Sequence, residues 1–151
     1  MDTGDRHMPQ VVRNIEIKAP PSVVWHWLAT QETLRRWISP NLEIDLRVGG
    51  AYRFLGPDNE TWIVGTVLEC VPEGALILSW TEEGQGWLHP ARLVLSMAAS
   101  PLGTKVTLVH DGFAGIGKPG WPDTVKDYEI GADAHRILEK LAELVATDGH
   151  A

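Results

Sequence analysis

DTVKDYEIGADAHRILEKLAELVAT, residues 123–147, is the apolar-periodic stretch on which the fold turns. Tyr128, Gly131, His135, Leu138, Ala142 and Val145 recur at three- and four-residue steps and share one helical face. Lys126, Glu129, Asp133, Glu139, Lys140 and Glu143 occupy the other. This pattern predicts an amphipathic helix, on the order of 36 Å long at ~1.5 Å per residue, that needs a partner surface. Pro122 precedes the start, Thr124 and Asp127 have the spacing of a capping box, and Asp148-Gly149 offers a stop.

The surface comes from upstream. Residues 11–18 alternate as a strand that Ala19-Pro20-Pro21 ends. Residues 22–28 and 31–37 have helical spacing and stop at Ser39-Pro40. The period then becomes two. Leu42, Ile44, Leu46 and Val48 alternate with polar residues, Gly49-Gly50 permits a bulge or kink, and Tyr52 and Phe54 continue the strand. The turn Gly56-Pro57-Asp58-Asn59 predicts a hairpin into residues 61–71, and Pro72-Glu73-Gly74 turns again into residues 75–82. Residues 91–97 and 104–110 complete an antiparallel meander of about six strands. At ~4.8 Å spacing such a sheet is roughly 25–30 Å wide, whereas one helix covers about 10–12 Å. The sheet must therefore curl around the final helix, with the two short helices closing one end. That geometry leaves room for a pocket.

Composition narrows the function. The chain has 151 residues, one domain by size, over residues 11–148 after a flexible arm at residues 1–10. A net charge of -7 without a basic stripe argues against nucleic acid and anionic membranes. Cys70 is the only cysteine, so no intrachain disulfide forms. The apolar runs are too short to span a bilayer, and a cytoplasmic location is expected. No HxxxH or CxxC spacing suggests a metal, and no cofactor is expected. Seven Trp stand against two Phe and two Tyr, which suits a bulky core or an aromatic-lined pocket.

The chain resembles the START-like (SRPBCC) superfamily, in the branch named after the activator of Hsp90 ATPase. The resemblance rests on APPSVVWHWLAT (residues 19–30), LRRWISP (34–40), DLRVGGAYRF (45–54), GTVLECVPEGALILSWT (65–81) and GTKVTLVHDGF (103–113), and covers residues 11–147. Gly131 near the start of the closing helix adds to it, although Ala132 follows where many relatives have Trp. It implies an α+β helix-grip fold, a curved antiparallel sheet around the C-terminal helix, with a cavity between them. Relatives bind varied hydrophobic small molecules or, in some branches, act as cyclases. The resemblance implies no particular catalytic residue.

The loop at residues 112–120 mimics nucleotide motifs, since it spells GxxxxGK and GxGxxG. Pro119 stands where the first needs a hydroxyl, and no βαβ unit follows for the second. A flexible gate or plain connector remains. The expected occupant is a hydrophobic small molecule, with Tyr52, Trp80, His110, Phe113, Tyr128, Gly131 and His135 as the ligand-binding set. Residues 25–37 and 112–121 would frame the entrance. Trp87 and Trp121, in loops, would lid the cavity or meet a partner. An alternative is a cyclase- or dehydratase-like enzyme in which His110 or His135 moves a proton. A chaperone-interaction module ranks last, and the oligomeric state is left open.

Overall fold

The alternating run after Pro40 is not one strand. In the structure, a computed structural model that describes residues 10–147, the chain reverses at Gly49-Gly50. Strand β2 (Glu43–Ile44) pairs antiparallel with β3 (Ala51–Leu55), placing Ile44 opposite Tyr52. Gly49 takes a left-handed φ of 85°, and a Cβ at Gly50 would strike the Asp45 carbonyl oxygen. The two glycines thus make a turn where a kink was expected, and the strand count rises from about six to seven.

The other strands follow the alternation. β1 (Val11–Ile17), β4 (Trp62–Val71), β5 (Ala75–Glu82), β6 (Ala91–Ser100) and β7 (Gly103–Asp111) join in the order β1-β7-β6-β5-β4-β3-β2, every neighbour antiparallel. The sheet bends where β4 meets β5. The register shifts between Val67 and Glu69, and the amide of Thr66 donates to Ser79 Oγ at 2.8 Å rather than to the ladder. Gly65, opposite Tyr52, has no room for a Cβ against the Ser79 carbonyl. The missing side chain lets the Tyr52 hydroxyl donate to Ser79 O at 2.5 Å, so the phenol covers the bare glycine.

Helices α1 (Pro21–Trp25) and α2 (Gln31–Arg35) flank a 3₁₀ turn over His26–Leu28. Thr30 caps α2 through a reciprocal bond with Thr33. Trp25, Trp27, Leu28, Leu34 and Trp37 are buried, and the Trp37 indole donates to Trp27 O at 2.9 Å. The early tryptophans are core, and none of residues 25–37 lines the cavity between the sheet and the C-terminal segment, so these residues do not frame its entrance as expected.

The C-terminal stretch starts earlier than expected and is broken. α3 (Trp121–His135) has Gly120 as its N-cap without a side-chain cap, so the Thr124–Asp127 box does not form; Thr124 is buried inside the helix. Arg136 then adopts a left-handed conformation (φ 50°, ψ 51°), and α4 (Ile137–Thr147) begins afresh. α4 buries Leu138, Leu141 and Val145 and packs on β1, which α3 also touches. The arm expected at residues 1–10 lies, but for Gln10, outside the described residues, as does the Asp148-Gly149 stop. No described helix is long and apolar enough to cross a membrane.

Candidate functional site

Between the concave face of the sheet and α3 lies a cavity of about 660 Å³, within the range of small-molecule sites. Its apolar wall comes from every second residue of the strands: Phe54 from β3, Ile63 from β4, Trp80 from β5, Leu93 from β6, and Leu108 and His110 from β7. Tyr128 and Gly131 of α3 face them. Ile38 to Asn41, the β3–β4 turn and residues 135–140 form the rim. Arg13 of β1 bonds Asp133 of α3 across this rim at 3.0–3.1 Å.

Four aromatic groups interlock at one end. The His110 ring centroid lies 4.6 Å from Trp80, 4.7 Å from Tyr128 and 4.8 Å from Phe113. Such edge and tilted contacts match ring edges to ring faces. A polar chain runs through the cluster. Trp80 Nε1–H donates to the Tyr128 hydroxyl at 2.8 Å, and that hydroxyl donates to Glu82 Oε2 at 2.5 Å. Burial and the nearby Glu82 carboxylate push the Tyr128 phenol upward, so it keeps its proton.

His110 is only 5% exposed, and its Nε2 has no partner among the described residues. Burial pushes its pKa down to about 3, against a smaller opposing pull from Asp111. The imidazole is therefore neutral. Asp111 remains in β7, facing away, and forms a two-point bond with Arg92 at 2.8 and 3.0 Å. Because neighbouring strand residues point to opposite faces, no His110–Asp111 acid–base pair exists.

The seven expected site residues divide. Trp80, His110, Tyr128, Gly131 and His135 line the cavity. His135 is exposed at the rim, where α3 ends, rather than inside. Gly131 is not closely approached: a Cβ there would meet only the His135 ring, at 3.6 Å. Tyr52 and Phe113 stand outside the lining, Tyr52 bonded to Ser79 and Phe113 fully buried behind His110.

The glycine-rich loop neither gates nor frames the opening. Phe113 and Ile116 are fully buried, and the Ile116 carbonyl accepts the Leu88 amide at 2.7 Å, which pins the loop to its neighbour. Trp87 lies across Phe113 at 6.4 Å, away from the lining, and Trp121 opens α3. Glu82 is among the lining residues that sequence reasoning missed, and the one bonded into the aromatic cluster. It extends the inward parity of Leu76, Leu78 and Trp80, and a carboxylate in that register was the available signal. Among the described residues, no cluster of three or more His, Cys, Asp or Glu is placed to hold a metal ion.

A curled antiparallel sheet closed over C-terminal helices, with a cavity between, is the helix-grip architecture of START-like proteins. Within that class the chain belongs to the family of activator of Hsp90 ATPase homolog 1-like proteins, whose model matches residues 18–146. Solved structures agree in fold. Protein MLL2253 of Mesorhizobium loti superposes with a TM-score of 0.75 at 18% identity, over 91% of this chain and 97% of that one. The Aha1 dimer of Colwellia psychrerythraea gives 0.72 at 15% identity, over 90% and 95%. CalU16 of Micromonospora echinospora gives 0.67 at 23% identity, over 90% of this chain and 65% of that one. Comparison with curated proteins gave no match.

Proposed function

We propose that the protein binds a small hydrophobic molecule between its sheet and α3. The cavity carries this reading: about 660 Å³ bounded by Phe54, Ile63, Trp80, Leu93, Leu108 and Tyr128. Space of that size would stabilise the protein if packed with side chains, because each lost methylene contact costs on the order of 1 kcal/mol. Gly131 supports the same reading, since a glycine inside a helix costs about 1 kcal/mol against Ala and here lines the cavity with only the His135 ring within 4 Å.

The enzyme alternative is weaker in its histidine form. A general base works best with a pKa near the operating pH, and His110 at about 3 lies far below it. His135 sits at the rim in solvent.

The test is a screen of apolar compounds by native mass spectrometry, read together with the Trp80 indole N–H resonance. Binding of one molecule per chain, with that resonance shifted, is expected. Gly131→Trp should fill the space and abolish binding while the fold persists. If no compound binds, or if binding survives Gly131→Trp unchanged, the reading is wrong.

A further inference from the structure

The wall formed by Trp80, Glu82 and Tyr128 has one chemical sense. The Tyr128 proton is committed to Glu82 Oε2 and the Trp80 proton to Tyr128, so neither N–H nor O–H remains to offer a ligand. Glu82 Oε1 has no donor among the described residues, and no described cation lies within ion-pair distance of this carboxylate. Beside it, the neutral His110 contributes no positive charge. Of the cations that line the opening, Arg13 is half-buried and paired with Asp133, Arg136 is exposed and faces Glu139, and Lys140 is exposed on α4, none of them within ion-pair distance of Glu82. The wall therefore presents an acceptor with a negative charge, set among aromatic rings.

A ligand carboxylate placed there would meet the like charge of Glu82 and find no free donor on Trp80 or Tyr128, with at most the single uncharged N–H of His110 beside it. A hydroxyl would donate to Glu82 Oε1. An ammonium would do so with charge assistance and would also lie near the rings of Trp80 and Tyr128. Resting on the cavity reading above, we propose that the occupant is an apolar molecule whose head donates a hydrogen bond, an alcohol, phenol or amine, to the second oxygen of Glu82, and that apolar carboxylates are rejected.

Three probes with one body test this: 1-naphthalenemethanol, 1-naphthylmethylamine and 1-naphthoate, titrated calorimetrically into the intact chain at neutral pH. The alcohol and the amine should bind at least about tenfold more tightly than naphthoate, a gap that one charge-assisted hydrogen bond accounts for. Glu82→Gln, checked for an unchanged melting transition, should shrink the gap to about threefold or less, chiefly by admitting naphthoate. Tyr128→Phe, which releases Glu82 Oε2, should preserve or widen it. Naphthoate binding as tightly as the alcohol, a gap that Glu82→Gln leaves intact, or a gap that Tyr128→Phe abolishes would each overturn the proposal. Equal binding of all three probes would sink the head preference and leave the cavity reading standing. Binding by none of the three would remove both.

Discussion

The indole of Trp80 and the phenol of Tyr128 are joined by a 2.8 Å hydrogen bond across the cavity wall, sheet to helix. It is a direct polar tie between β5 and α3, and Glu82 extends it by accepting the phenolic proton. Tyr128→Phe removes the acceptor of a largely buried N–H and is expected to cost about 1–3 kcal/mol, the penalty for an orphaned donor. Trp80→Phe removes the donor and leaves Tyr128 still bonded to Glu82. In a double-mutant cycle by urea unfolding, the two changes should couple by roughly 0.5–3 kcal/mol. Strict additivity would mean the bond does not form in solution.

His110 makes stability depend on acid. Its folded pKa of about 3 lies below its ordinary 6.5, so between those values the unfolded chain binds a proton that the folded chain refuses. Stability therefore falls as pH drops below about 6.5, by up to ~1.4 kcal/mol per unit, and the loss is complete near 3. Above pH 7 the group contributes nothing to the slope. At pH 5 the protein should have lost about 2 kcal/mol from this source, and His110→Phe should flatten that part of the profile. Equal pH profiles for the two proteins would show that the imidazole is not held neutral.

Gly65 and Gly115 have opposite tolerances. A methyl at Gly65 would run into the backbone carbonyl of Ser79, which cannot retreat without opening the bend and displacing Tyr52. Gly65→Ala should cost about 1–3 kcal/mol, the range for overpacking against a fixed neighbour. At Gly115 a Cβ would meet nothing within 4 Å and φ is not positive, so Gly115→Ala should stay within about ±0.5 kcal/mol. Thermal melts of the two variants give the comparison.

How much of this could be read from the chain follows from which signals are unambiguous. β4 to β7 were legible because alternation and turn residues agree there, and inward parity correctly placed Trp80 and His110 on one face. The reversal at Gly49-Gly50 was not, because Leu42 to Phe54 alternates in the same way whether one strand bends or two strands pair. Glu82 carried its parity in plain view, but a carboxylate at a strand end also suits solvent. Tyr52 shares the inward sense without reaching the cavity, and Phe113 lies in the turn after β7, outside any strand parity. Periodicity reports a face and says nothing of depth along it. His135 keeps helical phase with Tyr128 yet stands in solvent, because the backbone leaves the helix at the next residue.

That departure yields the sharpest contrast of sign. Arg136 is exposed, pairs only loosely with Glu139 at 3.9 Å, and holds φ at 50°, a conformation that costs a residue with a Cβ roughly 1 kcal/mol. Glycine bears no such penalty, so Arg136→Gly should stabilise the protein by about 0.5–1 kcal/mol, some 1–4 °C in Tm for a chain of this size. Five residues earlier, Gly131 lies within regular helix where a Cβ would make only ordinary contact with the His135 ring, and Gly131→Ala should stabilise by a similar amount through helix propensity. Were residues 121–147 one unbroken helix, Arg136→Gly would instead destabilise by about 1 kcal/mol, while the Gly131→Ala gain would be unchanged. The sign of the Arg136→Gly shift in calorimetry, with Gly131→Ala as the internal reference, therefore decides whether the C-terminal segment is one helix or two.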